Sequence, residues 1–333
     1  MVRVAINGFG RIGRTAFRIA HQTPGIEVVA INDLASPMLL GHLLRYDTNY
    51  GRFDAVDEVA GDGIVVDGRP IRVYDYRDPL EIPWNDGVDV VIESTGRFAG
   101  PIAKSHLSAG ASGVVISAPA GEETPTFVIG VNEHEMKPTD KVISNASCTT
   151  NCLAPVAKTM DADIGIVSGF MTTIHAYTSD QMVQDGPHRD LRRARTAAAN
   201  LIPTTTGAAE AIGLVLPELA GKLKGIAVRA PVATGSMIDL MFLASTSVSA
   251  GEVNNELQGA SEHDYPDGIL GFTEDPLVSS DVIGDSHSAI VDGKLTDVVN
   301  GNLVKVVAWY DNEYGYASRL VEQAINLGRV IGT

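Results

Sequence analysis

The sequence predicts an α/β chain of two domains: a mostly parallel sheet covered by helices, then an α+β half built on an antiparallel sheet. Three observations carry this. Short apolar, β-branched runs alternate with helical stretches over residues 2–144. Beyond residue 148 the strands lengthen and several are separated by helices. A length of 333 residues also exceeds what one core usually supports.

The first half reads as strands at 2–6, 27–31, 88–93, 114–117, 127–130 and 142–144. Gly8-Phe9-Gly10-Arg11-Ile12-Gly13 follows the first strand directly and opens a helix. In that context Gly8, Gly10 and Gly13 form the dinucleotide fingerprint, whose glycines let the backbone approach a pyrophosphate. Asp33 ends the second strand 20 residues after Gly13. A carboxylate there accepts hydrogen bonds from the adenine-ribose hydroxyls of NAD and repels the 2′-phosphate of NADP. Together these predict a Rossmann-like dinucleotide-binding domain over residues 1–147, with NAD as cofactor. Turn chemistry in Gly61-Asp62-Gly63 and Asp67-Gly68 predicts a hairpin inserted into it.

The run 141–144 reads as a strand and 153–158 as a helix, so Ser147-Cys148-Thr149-Thr150-Asn151 falls in the turn between them. Exposed N–H groups at a helix start favour an anion, and His175 lies 27 residues downstream. A thiol titrates near pH ~8.5 and becomes a nucleophile at neutral pH when an imidazole or a helix start stabilises its thiolate. Cys148 and His175 are therefore a candidate nucleophile and base. Taken alone, a free cysteine is most often a small buried apolar residue, which is how Cys152, one helical turn on, is read. The second half continues with strands at 165–175, 226–232, 237–247 and 303–310, helices at 206–216 and 249–261, and a closing amphipathic helix at 316–330. Residues 177–201 are charged and aperiodic, and a loop of that length is usually functional or an interface.

The formal charge of −16 argues against nucleic-acid or anionic-membrane partners, which demand a basic patch. No run approaches the ~20 apolar residues of a membrane helix, and no secretory signal is read at the N-terminus. Two cysteines cannot build a disulfide framework, so a reducing, cytoplasmic setting is expected. The acidity is patterned, with 25 Asp to 16 Glu and 8 Lys to 17 Arg. Proteins of high-salt cytoplasm share this bias, as do some moderately acidic mesophilic ones.

The motifs also form a set. Ser147–Asn151, His175-Ala176-Tyr177-Thr178, Arg192-Arg193-Ala194-Arg195, Thr204-Thr205-Thr206-Gly207, Arg229-Ala230-Pro231 and Trp309-Tyr310-Asp311-Asn312-Glu313 resemble the phosphorylating glyceraldehyde-3-phosphate dehydrogenases along essentially the whole chain. The resemblance implies oxidation of D-glyceraldehyde 3-phosphate with NAD and inorganic phosphate, through a thiohemiacetal and a thioester on Cys148, with His175 as base. It implies that Arg11 and Ile12 line the pyrophosphate, that Arg77, Thr95 and Ser117 flank the cofactor's path, that Asn312 holds the carboxamide, and that Tyr316 faces the nicotinamide. It assigns Thr178, Asp180 and Arg229 to the substrate's phosphate, with Asp180 orienting Arg229. It assigns Ser147, Thr149, Arg193, Thr206 and Gly207 to the attacking phosphate. No metal site is implied. A catalytic domain over 148–314, a helix 315–333 returning to the first domain, and a homotetramer complete the expectation. Pro187 matches a position where proline accompanies NAD preference, whereas Gly186 departs from the bulkier residue many members carry. Erythrose-4-phosphate dehydrogenase shares the cysteine and histidine motifs but departs at the Thr206-Gly207-Ala208-Ala209 helix start. A non-catalytic NAD-binding scaffold is the alternative from another class.

Overall fold

A computed structural model describes the backbone of residues 1–333 and every side chain except that of Ala60. The chain divides into two compact units. One comprises Met1–Phe127, Glu133–Ala146 and Ala317–Thr333, the other Val128–Asn132 and Ser147–Tyr316.

In the first unit, β1 (Val2–Asn7), α1 (Arg11–Gln22) and β2 (Ile26–Asn32) are followed by α2 (Pro37–Arg45), the two-residue strands β3 (Tyr46–Asp47) and β4 (Gly51–Arg52), and β5 (Val56–Ala60), β6 (Gly63–Val66) and β7 (Arg69–Tyr74). Then come β8 (Val90–Glu93), α3 (Ser105–Ser108), β9 (Gly113–Ile116) and β10 (Val142–Ser144). The sheet runs β10-β9-β8-β1-β2-β7-β6-β5. It is parallel as far as β7 and antiparallel beyond. Every residue of β8 and β9 is buried, as expected of parallel strands covered on both faces. The expected hairpin is a three-strand antiparallel meander, β5 to β7. The strand expected at 127–130 does not form. The backbone instead makes one isolated bridge, Thr126 to Ser144, and then turns as the Asn132 side chain accepts the Val128 N–H at 2.8 Å.

The second unit holds α4 (Cys148–Asp163), β11 (Ile166–Ala176), β12 (Ile202–Thr205), α5 (Ala208–Val215), β13 (Leu223–Ala230), β14 (Ser236–Ala244), α6 (Ala250–His263), β15 (Leu270–Thr273), β16 (Ala289–Asp292), β17 (Asp297–Val299) and β18 (Leu303–Tyr310). Its sheet runs β12-β13-β11-β14-β18-β16-β15, with β17 on β18. The pairings are antiparallel except β11 with β13 and β15 with β16. Residues 177–201 remain irregular apart from a short 3-10 turn, Ala197–Ala199. Among the described residues no helix is long and apolar enough to cross a membrane.

Side-chain alternation sorts this sheet into two faces. Met171, Thr173 and His175 of β11 share one face with Ala227 and Arg229 of β13, by the register Thr173 to Ala227 and His175 to Arg229. The opposite face carries Phe170, Ile226, Met241, Leu243 and Leu303, which are 68, 51, 45, 38 and 45 % exposed.

The chain closes in α7 (Tyr314–Ile331). Its part within the first unit puts Ala317, Leu320, Val321, Ala324 and Leu327 into the core formed by Val4, Ile6, Phe17 and Ile92. Small residues allow the approach: a Cβ on Gly328 would lie 2.7 Å from Val2, and one on Gly113 would lie 2.9 Å from Leu327.

Candidate active site

Cys148 is the first residue of α4. Ser147 caps that helix, its hydroxyl accepting the Thr150 N–H at 3.0 Å, which leaves earlier N–H groups facing the thiol's surroundings. The half-buried Cys148 Sγ lies 3.4 Å from His175 Nε2, while Cys152 is fully buried. His175 sits near the end of β11, where the register sets it beside Arg229. Its Nδ1 is 2.7 Å from the Ala176 carbonyl and 2.6 Å from Arg229 Nη1, which also donates to that carbonyl at 3.1 Å. The Tyr310 ring stands edge-on to the imidazole at 6.0 Å. The Tyr310 hydroxyl bridges Thr149 and Thr173, 2.9 Å from each.

Electrostatics in this corner are dominated by burial. Burial pushes the Cys148 thiol up, against the pull of the Arg229 charge and the Thr149 hydrogen bonds. Burial, then the Arg229 charge, push His175 down to about 3. Both groups thus start neutral, and in the tautomer whose Nδ1–H donates to the Ala176 carbonyl, Nε2 is the bare nitrogen that can take the thiol proton. A thiolate formed 3.4 Å away would in turn favour the imidazolium, so the two titrate as a pair.

A second cluster adjoins. The Asp180 carboxylate accepts from the Thr178 hydroxyl and from Arg193 Nη1. Arg193 Nε donates to Thr204 Oγ1 at 3.0 Å, and Thr204 donates to Asp190 at 2.8 Å. Burial works to raise the Asp180 carboxyl, but the Thr178 hydrogen bond and the Arg193 charge outweigh it and hold it below the usual range. The expectation that Asp180 orients Arg229 is therefore corrected. Arg229 is drawn to Ala176 and His175 by its place on β13, and the half-buried loop arginine, Arg193, takes the carboxylate. Gly207 caps α5 without a side-chain bond, and Thr206 Oγ1 accepts the Ala208 N–H at 3.2 Å.

In the first unit a cavity of about 310 Å³ is lined by Asn7, Gly8, Gly10, Asn32, Asp33, Tyr76, Arg77 and Thr95 among others. Gly8 has φ +92° and a Cβ there would sit 2.6 Å from the Thr95 nitrogen. A Cβ on Gly13 would sit 2.2 Å from the Gly8 carbonyl, so it packs helix on strand. Gly10 caps α1 with no side-chain bond and no acidic residue in the first turn, leaving its N–H groups to an anion. Asp33 accepts the Phe9 N–H at 2.8 Å and the Ala35 N–H at 3.0 Å, which fixes its carboxylate at the cavity wall. This donor set and glycine cradle fit a dinucleotide.

Comparison with known proteins agrees. The profile of the glyceraldehyde 3-phosphate dehydrogenase NAD binding domain matches residues 2–101, and that of the glyceraldehyde 3-phosphate dehydrogenase C-terminal domain matches residues 147–312. The chain belongs to the glyceraldehyde-3-phosphate dehydrogenase family. It is 52 % identical to glyceraldehyde-3-phosphate dehydrogenase of Borreliella burgdorferi over 334 residues, covering 98 % of this chain and 99 % of that one. It is 53 % identical to the enzyme of that name from Geobacillus stearothermophilus over 326 residues, 97 % of each chain. Glyceraldehyde-3-phosphate dehydrogenase 1 of Bacillus subtilis is 51 % identical over 331 residues, 98 % of each. Family membership makes the chain an NAD-dependent oxidoreductase.

Not every residue expected from the family borders the dinucleotide cavity. Arg11, Ile12, Gly13 and Ser117 do not line it. The Arg11 guanidinium is held by Asp47 and stacks over Tyr50 at 5.6 Å. Ser117 follows β9, its N–H on the Glu93 carbonyl at 2.9 Å. Asn312 and Tyr316 belong to the second unit. There the buried Asn312 accepts through Oδ1 from Ser236 at 2.8 Å and from Thr234 at 3.4 Å, which identifies the other amide atom as the NH2 donor. Tyr316 is 5 % exposed. Sequence reasoning assigns no role to Tyr310, Thr173, Thr204 and Asp190. Tyr310 and Thr204 stand within the family motifs, and Thr173 is two residues from His175 on one strand, whereas Asp190 carries no signal.

Proposed function

We propose that the protein oxidises D-glyceraldehyde 3-phosphate to 1,3-bisphosphoglycerate with NAD and inorganic phosphate. The observation that carries this reading is Cys148 Sγ at the start of α4, 3.4 Å from His175 Nε2. In the proposed sequence Sγ attacks the aldehyde carbon while Nε2 takes the thiol proton and returns it to the new oxygen, giving a thiohemiacetal. The Cys148 N–H and the imidazolium stabilise the developing oxyanion. Bound NAD supplies the hydride acceptor. His175 removes the hydroxyl proton as the carbon is oxidised, leaving a thioester that phosphate opens with release of the thiolate.

Arginine suits both anions, because its planar fork binds two oxygens at once. We assign Arg229 and Thr178 to the substrate's phosphate. Arg193, oriented by Asp180, with Ser147, Thr149, Thr206 and Gly207, is assigned to inorganic phosphate. In a chain of net charge −16 these few cations supply the local field for anionic reactants. The apolar outer face of the second sheet supports a homotetramer, and the free thiols support a reducing, cytoplasmic setting.

The test is NADH formation from glyceraldehyde 3-phosphate with and without phosphate, repeated with NADP and with erythrose 4-phosphate. Phosphate-dependent turnover specific to NAD and the triose phosphate is expected. Preference for NADP would refute the role of Asp33, and preference for the tetrose would refute the substrate assignment.

A further inference from the structure

Behind the dinucleotide cavity lies a buried polar chain that neither the thiol chemistry nor the glycine fingerprint uses. Trp84, His106 and Glu93 are 0, 0 and 2 % exposed. An indole N–H can only donate, and that of Trp84 donates to His106 Nδ1 at 2.9 Å. Nδ1 is then the bare nitrogen and the proton sits on Nε2, which donates to Glu93 Oε2 at 3.0 Å. Asn7 Nδ2 donates to the same oxygen. The Thr95 N–H, at 2.8 Å, and the Thr95 hydroxyl both donate to Oε1. Four donors converge on one side chain, which fits an ionised carboxylate and leaves no place for a proton on it.

The polarity propagates from there. With its nitrogen on Glu93, Asn7 offers Oδ1 to Asn32 Nδ2 at 2.7 Å. Asn32 then accepts the Tyr76 N–H at 2.9 Å and donates to the Tyr76 carbonyl at 3.0 Å. Trp84, an obligate donor, thus orients His106, and Glu93, accepting through both oxygens, orients each amide as far as Tyr76. Asn7, Asn32, Tyr76 and Thr95 line the cavity, whereas Glu93, His106 and Trp84 stand behind that lining. A buried charge without a cation partner is expensive, and apolar residues of similar volume often serve stability as well or better. Its place directly behind two separate stretches of binding wall gives it a use.

We propose that Glu93 is a positioning residue for NAD, oriented by His106 and Trp84, that holds Thr95 on one side and Asn7, Asn32 and Tyr76 on the other in binding geometry. This rests on the reading of the cavity as the NAD site. Glu93→Gln keeps the size but replaces one acceptor oxygen by an NH2 group that faces donors.

The experiment is calorimetric titration of the full-length chain with NAD, with steady-state kinetics and melting temperature measured alongside. Glu93→Gln is expected to raise the NAD dissociation constant by about tenfold or more, while kcat at saturating NAD falls by less than about threefold. His106→Gln retains a donor for Glu93 and an acceptor for Trp84, so it should bind NAD within about threefold of wild type, whereas His106→Leu should resemble Glu93→Gln. If Glu93→Gln melts earlier yet binds NAD as wild type does, the network is merely structural and the proposal is overturned. Should Glu93→Gln fail to fold, Trp84→Phe carries the test. It removes the indole donor, and an unchanged NAD dissociation constant in that variant would overturn the proposal as well. A wild-type chain that does not bind NAD overturns the cofactor reading, and this proposal with it.

Discussion

A thiol and an imidazole 3.4 Å apart make a reactive pair only if something opposes the burial that keeps both neutral. Burial raises the Cys148 thiol and lowers His175 to about 3. The opposing contributions are the helix start, the Arg229 charge on the thiol and, once the proton moves, the mutual attraction of thiolate and imidazolium. Removing the imidazole leaves burial less opposed. In His175→Asn the alkylation of Cys148 by iodoacetamide should therefore slow at neutral pH, with its pH profile displaced upward. An unchanged profile would show that the pair is not coupled. Labelling should fall on Cys148 rather than Cys152, because Cys152 is 0 % exposed and burial raises its thiol well above the ordinary value.

At the scale of elements, the start of α1 is tied to the end of β3 by Arg11 and Asp47. Asp47 also accepts the Asn49 and Tyr50 N–H groups at 2.9 and 3.1 Å. Burial opposes the charge of Asp47, but these bonds and Arg11 outweigh it and hold its carboxyl below the usual value of 3.8. A depressed carboxylate contributes stability that is present above the unfolded value and is lost as pH falls through the folded one. Asp47→Asn should lower stability by roughly 2 kcal/mol near pH 7. The difference should shrink below about pH 4, and a pH-independent difference in chemical denaturation would contradict the ion-pair account.

Other elements were legible because one local signal sufficed. Gly8 to Gly13 opens α1 directly after β1, and the helix expected at 249–261 is α6, whose start the Ser249 and Glu252 capping box closes in the structure. The strand expected at 127–130 failed because Phe-Val-Ile-Gly is as apolar turned as paired, and the Asn132 side chain ties the turn there. The partner of Asp180 was not legible, since it depends on where a long irregular loop carries Arg193 relative to β13. The Trp84, His106 and Glu93 chain was equally hidden, because its members are 9 and 13 residues apart in sequence and meet only when the sheet forms.

At the scale of the whole molecule, the outer face of the second sheet joins Phe170, Ile226, Met241, Leu243 and Leu303 into an apolar surface of the kind that a partner copy covers. Phe170→Asp should shift sedimentation toward smaller species while the isolated subunit retains its secondary structure. Wild-type sedimentation in that variant would remove this face from the assembly. A surplus of 16 negative charges also repels itself over a Debye length of ~30 Å at 0.01 M salt and about 3 Å at 1 M. The melting temperature should therefore rise, and sedimentation shift toward larger species, as salt increases. The account as a whole turns on the covalent step, which mass spectrometry of the protein reads directly. Incubated with glyceraldehyde 3-phosphate and NAD in the absence of phosphate, the chain should gain one phosphoglyceroyl group, mapped to Cys148, and phosphate should discharge it as NADH formation resumes. A chain that turns over with no adduct on Cys148, or whose Cys148→Ser variant keeps the wild-type rate, contradicts the account.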